Sequence, residues 1–97
     1  MTRKSLILDF IKQFRDLNST ECFNYGMCYW FAFILVHRFG GVIVYQPIDN
    51  HFAANIDGTF YDINGIIFDT TNWGPWPTED IALNMRIERD CIRKERL

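Results

Sequence analysis

The chain has 97 residues, 48% of them apolar and 16% aromatic, which suits one small hydrophobic core and a single domain over residues 1–97. A formal net charge of -2 argues against a generally basic surface for nucleic acid or for an anionic membrane. Three cysteines without paired spacing fit free thiols in a reducing compartment. The apolar run Phe31 to Val36 is far too short to span a bilayer, so the expected location is the cytoplasm.

From Ser5 to Leu17, Leu6, Ile7, Phe10, Ile11, Phe14 and Leu17 recur at three- and four-residue spacings opposite Asp9, Lys12, Arg15 and Asp16, which predicts an amphipathic first helix. Asn18-Ser19-Thr20 reads as a break, and Ser19 or Thr20 could cap the next element. The segment Cys28 to Phe39 is apolar nearly all round and ends in His37-Arg38 before Gly40-Gly41, which predicts a central, buried helix. Cys28 falls in or near its first turn.

Val42 to Gln46 is a short β-branched and aromatic run closed by Pro47. Phe52 to Ile56, Asp57-Gly58 and Thr59 to Ile63 form a strong hairpin signal, because Asp-Gly favours a two-residue turn with positive φ. Ile66 to Phe68 adds a possible fourth strand. Trp73-Gly74-Pro75-Trp76-Pro77 reads as irregular, and Thr78 before Glu79-Asp80 marks the start of a last helix running from about Glu79 into the nineties. Arg86 to Arg96 mixes five basic with three acidic residues and reads as a solvated face. The expected architecture is α+β: a central buried helix on an antiparallel sheet of three to four strands, with N- and C-terminal helices.

A two-residue turn at Asp57-Gly58 sets the register, pairing Ile56 with Thr59, Asn55 with Phe60, Ala53 with Asp62 and His51 with Asn64. His51 and Asp62 then share one face of neighbouring strands, on a diagonal that polar side chains can cross. Phe52, Ala54, Ile56, Tyr61 and Ile63 occupy the other face. A carboxylate beside a histidine orients the ring and favours its protonated form, which a thiolate nucleophile needs from its partner. Cys28, near a helix start, supplies the candidate nucleophile. Against this stands the fact that a lone Cys on an apolar helix is most often a small core residue.

The other candidates carry less. Cys22 precedes the irregular Asn24-Tyr25-Gly26, Cys91 faces no evident partner, and His37 suits a solvent-side cation at a helix end. No Cys-x-x-Cys or His-x-x-x-His pair supports a zinc site built from Cys22, Cys28, His51 and Cys91, so neither metal nor cofactor is expected. Asp49, Asp57, Asp69 and Asp80 read as turn or cap residues. Tyr45, Trp73 and Trp76 read as packing residues, with an exposed aromatic lip at Trp73 to Trp76 as the alternative.

Gly26-Met27-Cys28-Tyr29-Trp30-Phe31-Ala32-Phe33 resembles the cysteine-bearing helix start of papain-like peptidases. Asn50-His51-Phe52 and Phe60-Tyr61-Asp62-Ile63-Asn64-Gly65 are similar to the His and Asp strands of NlpC-type and transglutaminase-like members. With Arg38-Phe39-Gly40-Gly41, the pattern resembles a group of small, mostly phage-encoded proteins of that fold. The resemblance spans about Asn24 to Gly65 and keeps the superfamily's order of Cys, His and Asp. It implies a papain-like minimal core, with Cys28 as nucleophile, His51 as general base and acid, and Asp62 as its orienter. Papain-like enzymes usually carry a Gln several residues before the Cys as oxyanion donor, whereas Glu21-Cys22-Phe23-Asn24 has none, leaving Asn24 as a substitute by chemistry.

Two functions are expected from these residues. One is a cysteine hydrolase acting on a peptide or protein substrate through the triad. The alternative is a binding protein that keeps the fold with little or no catalysis, for example a phage inhibitor of a host defence complex such as a CRISPR effector, working in the host cytoplasm.

Overall fold

A computed structural model describes residues 2–17 and 28–89 of the chain. The first helix, α1 (Arg3–Leu17), forms where the periodic apolar stripe predicts it, and Thr2 Oγ1 accepts the Ser5 amide at its start at 3.1 Å. Ile7 and Ile11 are buried, with Phe10 and Phe14 half-buried beside them.

Helix α2 (Cys28–Phe39) matches the predicted span. It buries Phe31, Ala32 and Leu35 but is not enclosed on all sides, since Phe33 is 43% exposed and His37 lies on the surface. Tyr29, Phe33 and His37 come one after another at four-residue spacing and stack, with Phe33 and His37 ring centres 5.9 Å apart. The apolar sequence therefore builds an aromatic row on the outer face instead of a second buried one. Gly40 closes the helix at φ +87 by donating its amide to the Val36 carbonyl at 2.8 Å.

Five strands complete the sheet: β1 (Val42–Gln46), β2 (His51–Ile56), β3 (Thr59–Asp62), β4 (Gly65–Ile67) and β5 (Gly74–Pro75). They are antiparallel throughout, in the order β4-β3-β2-β1-β5. The Asp57-Gly58 turn has positive φ at both residues, as a tight hairpin of this hand requires, and the pairs Ile56 with Thr59 and Asn55 with Phe60 fall in the predicted register. The fifth strand corrects the reading of residues 73–77 as wholly irregular. Gly74 and Pro75 pair with Tyr45 and Val44 at the sheet edge, where a proline without an amide hydrogen is tolerated.

The last helix, α3 (Ile81–Ile87), starts later than the Thr78 signal suggests. Asp80 is the N-cap, its Oδ1 accepting the Leu83 amide at 3.1 Å, while the Thr78 hydroxyl binds the Asn84 side chain and accepts the Asp80 amide. The helix's predicted run into the nineties lies partly outside the described residues.

Two apolar clusters meet along α2. Ile7, Ile11, Phe31, Leu35, Ala54, Ile56, Tyr61 and Ile63 form one, and Ala32, Tyr45, Phe52 and Ile87 form the other. The strand face assigned to the core by alternation is buried, with Phe52, Ala54, Ile56, Tyr61 and Ile63 all at 2% exposure or less, and Val44 and Ala53 are buried on the other face. Cys28, Trp76 and Leu83 pack against the second cluster. No described helix is long and apolar enough to cross a membrane.

Candidate functional site

His51 opens β2 immediately after a four-residue connection, and local chemistry holds that connection in place. Asn50 adopts a left-handed conformation (φ +55), its side chain accepts the Tyr45 hydroxyl, and Gln46 bonds Asp49 through both its amide nitrogen and its carbonyl oxygen. The histidine side chain therefore leaves the sheet from a defined backbone position, opposite Gln46 of β1.

Asp62 closes β3, and its two carboxylate oxygens have different tasks. Oδ1 accepts the Asn64 amide at 2.8 Å in a local turn, and Oδ2 lies 3.1 Å from His51 Nε2. Holding one oxygen through the backbone fixes the direction of the other. The pair is sheltered, with side-chain exposures of 18% for His51 and 14% for Asp62. This is the contact the hairpin register predicts.

Cys28, at the start of α2, lies close enough to the His51 ring to favour its charged form. Cys28, His51 and Asp62 thus come together from the start of α2, the start of β2 and the end of β3. Burial pulls the His51 pKa down, but the Asp62 hydrogen bond, the nearness of Cys28 and the charges on both partners outweigh it, raising the value from 6.5 to about 9. The ring is consequently an imidazolium at neutral pH. This cation neighbours two groups able to carry negative charge, Asp62 and Cys28, the combination suited to an activated thiol.

Asn24, the oxyanion candidate, lies outside the described residues, as do Cys22 and Cys91. Among the described residues no group of three or more His, Cys, Asp or Glu side chains is placed to hold a metal ion.

Sequence reasoning missed one neighbour of the site. Trp73 stands edge-on to His51 with ring centres 5.8 Å apart and also meets Phe60 at 5.9 Å, so its ring borders the histidine. Trp76, three residues on, turns the other way and packs against Tyr45 and Phe52. No local pattern separates the two tryptophans. Their division comes from the Gly74-Pro75 strand between them, which is visible only once β1 is in place. Half-burial of both makes Trp73 to Trp76 a packing segment more than a free aromatic lip.

The family model for phage YunG-like proteins matches residues 7–89. The chain belongs to that family. No curated protein and no solved structure matches it. The matched stretch takes in Cys28, His51, Asp62 and Trp73.

Proposed function

We propose that this phage YunG-like protein is a cysteine hydrolase of papain-like type that cleaves a peptide or amide bond. The observation that carries the reading is a sheltered His51 ring held by Asp62 Oδ2 at 3.1 Å, with Cys28 near enough to help raise the ring's pKa. Cys28 Sγ attacks the carbonyl carbon, and the imidazolium of His51 hands its proton to the leaving amine as the C–N bond breaks. Neutral His51 then takes a proton from water as the hydroxide adds to the thioester carbonyl, and the C–S bond breaks to release the acid and restore the Cys28 thiolate beside the His51 imidazolium. Asp62 keeps the ring in one tautomer and orientation throughout. Asn24 is the candidate donor to the oxyanion, a role whose loss costs roughly two to three orders of magnitude in turnover.

Alkylation tests the reading directly. At neutral pH, iodoacetamide should label Cys28 at least about tenfold faster than Cys22 or Cys91, and His51→Ala should erase the difference. Equal labelling of the three thiols would sink the proposal.

The half-exposed aromatic row of Tyr29, Phe33 and His37 supports a second reading, a binding protein that inhibits a host complex such as a CRISPR effector. Under that reading Cys28→Ala keeps biological activity and Phe33→Ala destroys it. Under the hydrolase reading the first substitution alone is enough to abolish it.

A further inference from the structure

Beside Trp73 the surface opens into a cleft of about 430 Å³ between β5 and the start of α3. Its walls are Tyr45, Trp73, Pro75 and Leu83, a set of rings and aliphatic groups with little polar surface, and Thr78 and Glu79 lie at its margin. Most of its polar groups are already engaged. The Thr78 hydroxyl is bonded to Asn84, and Asp80 Oδ1 to the Leu83 amide. Glu79 is exposed and makes no ion pair with any described residue.

We infer that this cleft receives a lysine or arginine side chain of the peptide that Cys28 cuts, an inference that rests on the hydrolase reading above. The apolar walls match the methylene stem of such a side chain. Glu79 then meets the charged tip. An acidic side chain would meet Glu79 and Asp80 instead, and the nearest described cation on that helix, Arg86, lines a separate depression. The position suits a substrate residue close to the cleaved bond, because Trp73 is shared between the cleft and the His51 ring. One or two residues of extended chain, at roughly 3.3 Å each, cover the width of an indole.

Three short acetylated peptide amides, identical except for a central lysine, norleucine or glutamate, should be titrated into the Cys28→Ala protein, following the Trp73 indole N–H by NMR. The lysine peptide is expected to bind about threefold more tightly than the norleucine one, the size of an exposed ion pair, and the glutamate peptide more weakly than either. Glu79→Gln, a change at an exposed side chain, should bring lysine and norleucine level. Equal binding of lysine and norleucine by the unaltered cleft, a lysine preference that survives Glu79→Gln, or binding that leaves the Trp73 signal unmoved would each overturn the inference. The two readings fail separately. Loss of the lysine preference with selective Cys28 labelling intact removes the cleft assignment alone, whereas equal thiol labelling with the preference intact removes the hydrolase.

Discussion

The raised pKa of His51 belongs to a balance among three side chains, and that balance can be perturbed one partner at a time. In NMR titration the His51 ring should lose its proton at about pH 9, remaining charged below that value and neutral above it. Asp62→Asn removes a hydrogen-bonding anion that favours the charged ring, so the titration should move to lower pH, and Cys28→Ser should move it the same way. A His51 titration unchanged by Asp62→Asn would mean that the 3.1 Å contact has no electrostatic effect on the ring. Gly41 answers to backbone geometry. Its φ is +96, and an added Cβ would come within 2.2 Å of the Asn55 carbonyl oxygen, so Gly41→Ala should destabilise by about 2 kcal/mol or more in chemical denaturation. Part of this was legible in the residues: Asp57-Gly58 sets the face and register from which His51 meets Asp62. The Cys28 contact was less so, because the orientation of α2 over the sheet is a tertiary fact that no spacing encodes.

Among the elements, the helices and strands with strong periodicity or turn chemistry coincide with their sequence signals, and the departures have identifiable causes. The α2 sequence is apolar enough for burial on every side, yet α1, the sheet and α3 leave one face of it uncovered among the described residues, so Phe33 and His37 remain outside. Strand β5 is two residues long and contains proline, and only pairing with β1 makes it a strand. At α3, a threonine and an aspartate two residues apart compete for the capping role. Asp80 takes it because the Thr78 hydroxyl is occupied by Asn84. Asp80→Ala should therefore cost about 1 kcal/mol, whereas Glu79→Ala should leave stability nearly unchanged, a comparison that thermal or chemical unfolding resolves. The Arg3 to Asp57 pair ties the start of α1 to the hairpin turn at 2.8 Å, but both side chains are more than half exposed, so its contribution is small and falls with added salt.

At the scale of the molecule, α2 joins the two apolar clusters and carries the candidate nucleophile at its start. Phe31 at 1% exposure and Phe33 at 43% lie two positions apart on this helix and make a controlled comparison. Phe31→Ala should cost about 3 to 5 kcal/mol, a large share of what a chain of this size has, while Phe33→Ala should cost far less. Similar losses for both would mean that the aromatic row is covered. The sheet's two margins have a different consequence. In the described structure one margin is the three-residue strand β4 and the other is Gly74-Pro75, where the proline has no amide hydrogen to offer an incoming chain. Such margins give a foreign strand very little to copy, so the sheet is poorly suited to growth by end-on addition of further molecules. The segment that sets Trp73 against His51 thereby also terminates the sheet.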